Sequence, residues 1–488
     1  MAIINKTNDP SGLPFKEKIK FLAKDTLFYG GLRSIALLAP FLTIPFLTRY
    51  FKIEEYGLYD SLLVFSTFVT TLLVFGQDSA LARWFYQVDD LESKKKVITQ
   101  SLTIQVLFFL VIIPLLLIFS NEISSYYLKS SNYSQFIFLV IIQSLFGVFL
   151  NFIANTLKWT FSRKKYALIS ILNPILLLIS LFLLYYFKFS LMQYIITNII
   201  ASFCISILGL FLCKNWIKLS RKFEYFKNLF SFAWPYGLIC VLLALFPTLE
   251  RKVILDNFNF AQLGLYALAY KISQIVWVGD NIFQMAWGPF ALSIFKQDDA
   301  EQVYNTVLKI YFVIFILIIF LLNIFSSLIV GVAGTSDYNA AAILVLPLSF
   351  ALFFNGLGGI TGLGITLSLK SYYLLIPYII SILLFLISTI FLIPYLNIVG
   401  VAMSLVISNL FKMLIMSLLS RKVYSKIRIK PAKIVIFSVL ILFLLISSSY
   451  LQINKLLIAT IFIFFYPALI YIILNRQERN YIINKIKR

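Results

Sequence analysis

Apolar residues run through this chain in long blocks separated by short polar breaks. A helix needs about 20 apolar residues to cross about 30 Å of hydrocarbon, and blocks of that length recur. The pattern predicts fourteen spans: 25–48, 57–77, 98–119, 135–158, 166–187, 190–213, 229–250, 261–287, 305–330, 341–366, 372–393, 396–419, 432–450 and 455–475. Arg33 and Pro40 interrupt the first, and the eleventh and twelfth are separated by a tight turn. An even number of spans puts both termini on one side. The expected fold is an all-α polytopic membrane protein.

Charge in the breaks predicts which side. With the N-terminus inside, the inner segments hold 33 of the 42 Lys and Arg, counting Lys158, Lys309 and Lys412 with them. The outer segments hold seven, among them Arg49, Lys129, Arg251 and Lys252, and the remaining two, Arg33 and Lys271, lie within spans. This asymmetry follows the positive-inside rule, so both ends are expected in the cytoplasm. An amphipathic piece, DSALARWFYQ at 78–87, is expected to lie at the interface, as is the segment from Phe15 to Lys24. No loop is long enough to fold as a separate domain.

Composition supports this reading. Of 488 residues, 61% are hydrophobic and 13% charged, with mean hydropathy +0.92; soluble domains are about 45–50% apolar and about 25% charged. The net charge of +22 is largely accounted for by topology, so no nucleic-acid partner is expected. There is no histidine, and Cys204, Cys213 and Cys240 show no CxxC spacing. A disulfide framework, a zinc site and histidine-based catalysis are therefore not expected. Residues 1–24 are polar and basic, without the pattern of a secretory signal peptide.

An internal repeat organises the spans. Shifting the chain by 207 residues places Tyr29-Gly30 on Tyr236-Gly237, Pro40 on Pro247, Phe51 on Phe258, and Gly57-Leu58-Tyr59 on Gly264-Leu265-Tyr266. Six spans per repeat give two parallel copies, with their axis along the membrane normal and a substrate site between them. The expected division is a basic segment 1–24, a first lobe 25–213, a linker 214–228, a second lobe 229–419, an appended pair 432–475 and a basic tail 476–488. Alternating access suits such an arrangement.

Motifs lie in and beyond this repeat: Leu47-Thr48-Arg49-Tyr50-Phe51 with Glu54-Glu55-Tyr56-Gly57-Leu58-Tyr59-Asp60, then Glu250-Arg251 with Leu263 to Lys271. Gln284 to Phe290 and Pro394 to Ala402 follow. In order and spacing they resemble the signatures of the oligosaccharide flippases of polysaccharide biosynthesis, in the multidrug/oligosaccharidyl-lipid/polysaccharide exporter superfamily. The resemblance covers the first twelve spans. It implies a flippase, not an enzyme, moving a polyprenyl-diphosphate-linked oligosaccharide from the inner to the outer leaflet of the cell membrane. It also implies a central cavity lined with cations, and contact with membrane lipids and polysaccharide-assembly proteins. No cofactor is implied beyond a coupling ion, H+ or Na+, and the sugar is left open among O-antigen, capsule and exopolysaccharide.

Buried polar residues supply candidates for the cavity. A charge at mid-span costs about 2.5–3.5 kcal/mol on insertion scales. Arg33 and Lys271 could hold a diphosphate, Arg bidentately and Lys as a point charge, or pair internally with Asp25, Asp60 or Asp280. Arg49 and Arg251 match family positions at outer span ends, where an interfacial anchor, a gate clamp and substrate contact all remain open. Glu250 adjoins Arg251, but neighbouring helical positions do not face each other.

Three polar stripes recur at helical spacing. One holds Gln143, Gly147, Asn151, Asn155 and Lys158; a second holds Asp60, Thr67, Thr71 and Asp78. The third holds Tyr266, Tyr270, Ser273, Trp277, Asp280 and Gln284. Each either lines water or packs on another helix. Six polar and glycine positions from Asn355 to Gly364 suit either a hinge or close packing. A cation exporter of the same superfamily is the nearest alternative function, and would rely on buried carboxylates. A polysaccharide polymerase would need a larger outer loop bearing acid/base groups.

Overall fold

The computed structural model describes residues 41–218, 223–368, 370–424, 428–450 and 454–474. Arg33, Pro40, the segment 1–24, the tail 476–488 and most of the first expected span lie outside the described residues. Among the described residues there is no strand, and a helix underlies every expected span from the second to the fourteenth.

After helical residues 41–50 (α1), the long helices are α2 Ile53–Val74, α3 Leu91–Ile118, α4 Ser134–Trp159, α5 Arg163–Phe187 and α6 Leu191–Cys213. Then come α7 Phe226–Asn257, α8 Phe260–Ile294, α9 Ala300–Ile324, α10 Ala342–Thr361 and α11 Leu375–Leu396. The last three are α12 Ile398–Val423, α13 Ala432–Tyr450 and α14 Lys455–Ile473. Ten helical segments among the described residues are long and apolar enough to cross a membrane; α13 and α14 carry shorter apolar stretches. Many outward side chains are large and apolar, such as Leu110, Phe182, Ile390 and Phe443. Exposed apolar surface on this scale is not that of a monomeric soluble protein; it suits lipid as solvent.

Local sequence explains the joints. Asp90 caps α3 by accepting the Ser93 N–H at 2.7 Å. Ser190 and Gln193 form a capping box that starts α6. Asn397, at φ 49°, makes the single-residue turn between α11 and α12, and this is the Pro394 to Ala402 motif seen in the sequence.

The chain divides into two compact units, with the boundary after Gly264. In the first, α4 packs on α6 and α2, α2 packs on α7, and α5 on α6. Helix α7, which opens the second repeat, thus belongs to the first unit by its contacts. In the second unit, α12 packs on α10 and α11, and α9 on α10. There α14 packs on α9, with Phe462 stacked on Phe320 at 3.4 Å.

The repeat has a physical counterpart inside the first unit. Helices α2 and α8 begin at Ile53 and Phe260, which are 207 residues apart. A Cβ on Gly57 would collide with the Phe260 carbonyl oxygen, and one on Gly264 with the Ile53 carbonyl oxygen. Gly57 also lies against the backbone of Gly264, 2.8 Å from such a Cβ to its nitrogen. The contact is reciprocal between equivalent positions, as a two-fold relation between equivalent segments produces. Glycine is required at both, because the backbones touch.

Candidate functional site

The first unit contains a cleft of about 730 Å³ built by three elements. A short helix, Gln77–Gln87, follows α2 after a sharp turn at Phe75 and Gly76, both in the left-handed region at φ 41° and 73°. Its inner face, Ala80, Leu81 and Phe85, is buried in an apolar cluster with Ile153 and Leu157 of α4 and Leu229 and Ala233 of α7. Burying one such large side chain contributes about 1.5–3 kcal/mol, and this packing fixes the opposite face. That face presents Asp78, Arg83 and Tyr86 to the cleft. The end of α4 adds Asn155, Lys158 and Trp159, and the start of α7 adds Phe232 and Tyr236.

Aromatic faces hold the cleft's cations. The Arg83 guanidinium lies over the Phe232 ring at 5.2 Å, and Lys158 Nζ lies over the Trp159 ring at 4.4 Å. Tyr86 meets Trp159 edge-to-face at 6.0 Å, and its hydroxyl donates to the Trp159 carbonyl at 3.1 Å. Among the described residues Asp78 is the one carboxylate in the lining, so these carry more positive than negative charge.

The polar stripes resolve unevenly. In α4, Asn155 lines the cleft and donates to Asn151 Oδ1 at 2.9 Å. Further along, Ser144 bonds Ser66 of α2, and Gly147 faces Thr70. The stripe therefore lines the cleft at one end and packs helices at the other. The α2 stripe is broken by the turn at Gly76, which puts Asp78 on a separate helix. Thr67 and Thr71 return their hydroxyls to their own helix, donating to Leu63 O and Thr67 O. The α8 stripe packs on α10: Ser273 donates to Val345 O at 3.1 Å and Gln284 to Gly356 O at 3.4 Å.

Asp60 and Arg251 meet in a buried ion pair, 3% and 1% exposed. Arg251 Nε and Nη2 both lie 3.0 Å from Asp60 Oδ2. Nη1 reaches Glu250 at 3.1 Å, so these neighbours do interact, contrary to the expectation from helical spacing. Tyr127 donates to the carbonyl oxygen of Ser61, the residue after Asp60, at 3.3 Å. Asp60 is thus engaged by Arg251 in this geometry. Arg49 is exposed at the end of α1.

In the second unit, Tyr311 and Gln284 donate to Asp280 Oδ1 at 3.0 and 3.1 Å. Tyr270 stacks on Tyr266 at 6.2 Å, and Trp277 and Lys271 are half-buried on α8. Lys412, counted from sequence among the inner charges, is instead 5% exposed in the middle of α12. Its Nζ donates to Asn355 Oδ1 at 2.5 Å and Asn409 Oδ1 at 2.6 Å. The glycines from Gly356 to Gly364 face side chains of α8, α9 and α12, which is close packing, although the helix does break at Gly362. Sequence reading therefore missed Arg83, Tyr86, Trp159, Phe232 and Tyr236 as cleft residues. The polar stripe ending at Lys158 was the available signal.

Residues 22–294, more than half of the chain, match the polysaccharide biosynthesis protein family. The chain belongs to this family. An uncharacterized membrane protein of Haemophilus influenzae is 23% identical over 290 residues, covering 57% of this chain and 67% of that one. Of the solved structures, the lipid II flippase MurJ in an inward closed conformation matches with a TM-score of 0.69 at 16% identity, covering 93% of this chain and 100% of that one. A multidrug resistance transporter of the MATE family, in the MOP superfamily and inward-facing, matches with a TM-score of 0.67 at 15% identity, covering 80% and 94%. At these identities the likeness is one of fold. The chain has the fold of MOP-superfamily transporters, as its motifs implied.

Proposed function

We propose that this protein is a flippase that carries a polyprenyl-diphosphate-linked oligosaccharide from the inner to the outer leaflet of the cell membrane. The observation that supports this most is the cleft of the first unit. It is polar and net positive, and it lies in a chain whose outward side chains are largely apolar. Membership of the polysaccharide biosynthesis family points the same way. Arg33 and Lys271 are the proposed cations within the spans, and H+ or Na+ the proposed coupling ion. Both termini are proposed to be cytoplasmic. The roles proposed for Asn151, Asn155, Tyr270, Trp277 and Asp280 are to shape the translocation path, and those for Arg49, Asp60 and Arg251 to secure its outer end.

Reconstitution into liposomes with a polyprenyl-diphosphate oligosaccharide tests this reading, with sugar exposure on the opposite leaflet as the readout. Wild type should expose sugar, and Lys271→Ala and Arg33→Ala should each slow exposure at least tenfold. A fluorescent organic cation serves as the alternative cargo. Asp78 in the cleft lining is the residue that would favour such a cargo; cation movement without sugar exposure would replace the flippase with a drug exporter.

A further inference from the structure

We infer that the break at Phe75 and Gly76 is a switch: the segment 53–87 alternates between its bent form and a straight helix, and so assembles and takes apart one wall of the cleft. Its role in transport rests on the translocation reading above; its existence does not.

The 207-residue repeat supplies the second conformation. Ile53–Gln87 spans 35 residues and is interrupted at Phe75 and Gly76. Its counterpart α8, Phe260–Ile294, also spans 35 residues, with both bounds shifted by 207, and runs without interruption. One segment of the repeat thus exists in two forms, bent in the first copy and straight in the second. The positions that match Phe75 and Gly76 are Ile282 and Phe283. A β-branched residue strongly resists positive φ, so α8 is restricted to the straight form. Glycine accepts either geometry, so only 53–87 can change.

The bent form carries strain that a straight helix would release. Phe75 sits at φ 41°, a left-handed geometry that is unfavourable for a non-glycine residue. Gln77 is wholly buried: Ser101 donates to its side-chain oxygen over a long 3.4 Å, and its amide nitrogen has no hydrogen-bond partner among the described residues. The amide oxygen of Gln105, one turn along α3 from Ser101, is buried in the same condition. Unpaired buried amides are costly, and strain of this kind clusters at switch regions.

Packing opposes straightening, because the short helix lies on α3, α4 and α7. The contact with α7 falls at the break itself. A Cβ on Gly237 would meet the Phe75 carbonyl oxygen at 2.8 Å. Pro235, two positions earlier, removes a backbone hydrogen bond from α7, so both backbones can bend where they meet. Straightening swings Asp78, Arg83 and Tyr86 away from Asn155, Lys158 and Tyr236 on the other walls of the cleft.

Pulsed electron–electron double resonance on the full-length protein in lipid nanodiscs reads the two forms. Spin labels replace Glu55 and Gln87, carried on a ketone-bearing unnatural residue so that the cysteines stay. In a straight helix these positions lie about 48 Å apart at about 1.5 Å per residue, and in the bent form they lie closer. Gln262 and Ile294 give the counterpart pair. Wild type should show both distances, and the counterpart pair the long one alone. Phe75→Gly relieves the left-handed strain and should shift the ratio about tenfold toward the short distance. Gly76→Ala cannot hold the bend without a collision, and should shift the ratio about as far toward the long one.

A single short distance in wild type, or a ratio unchanged in both variants, would overturn the switch and make the break a fixed bend. In liposomes, Gly76→Ala should slow sugar exposure by about the factor by which its bent fraction falls. A Gly76→Ala protein that holds the long distance and exposes sugar as fast as wild type would remove the break from transport. A wild type that exposes no sugar fails the translocation reading instead, and the distances alone then decide the switch.

Discussion

Arg251 and Asp60 show how a single pair of charges is accommodated inside this chain. Both are almost wholly buried, and Glu250 brings a second carboxylate to the same guanidinium. Removing one partner strands a buried charge, at a cost of about 3–5 kcal/mol, whereas replacing both with apolar residues is often near neutral. Arg251→Met alone, which strands both carboxylates, should therefore lower the thermal unfolding midpoint in detergent much more than the triple variant with Asp60→Leu and Glu250→Leu does. Equal losses in the two would mean that the charges contribute nothing as a cluster. Lys412 is the converse case, a buried cation met by two neutral amides and the Tyr378 ring. Lys412→Met strands the Asn355 and Asn409 carbonyls at about 1–3 kcal/mol each, and Asn355→Leu with Asn409→Leu in the same chain should recover much of that stability. Nothing in the sequence near Lys412 separates it from the basic cluster that begins at Arg421, because its partners come from α10, α11 and its own helix. Asp60 was legible as a polar residue on a helix face, but its partner is 191 positions away, beyond any periodicity.

The turn between α2 and the helix Gln77–Gln87 sets the position of the cleft's charged wall. Gly76 sits at φ 73°, and a Cβ there would come within 2.5 Å of the Ala233 carbonyl oxygen. Left-handed strain for a non-glycine residue costs about 1–3 kcal/mol, and the collision adds to it. Gly76→Ala should lower the unfolding midpoint and also displace Arg83 and Tyr86, weakening diphosphate binding; a variant that is destabilised but binds normally would show that the turn does not position the wall. Helix existence was readable from apolar block length for every span that the structure describes. Helix faces were less so. The same i, i+4 spacing lines a cleft at Asn155 and packs on α2 at Gly147, since periodicity gives a face and not what lies opposite it. The amphipathic piece at 78–87 buries its inner face against α4 and α7, neighbours that its spacing alone does not name.

Across the whole chain, the 207-residue shift was visible because glycines and prolines are scarce enough to mark a register. The structure gives two of those marks a physical reason, as Gly57 and Gly264 meet. Because the contact is reciprocal, Gly57→Ala and Gly264→Ala should each cost about 1–3 kcal/mol by overpacking. The two losses should match within measurement error and should not add fully in the double variant; a harmless change at one site and a severe one at the other would end the equivalence. Elsewhere the copies have parted: the counterparts of Asp60 and Arg251 are Ala267 and Ile44. Where the halves touch at the same residue, each is the other's environment, so neither can change size there alone. That spot is inherited jointly, and it ties together two segments that are otherwise free to drift apart.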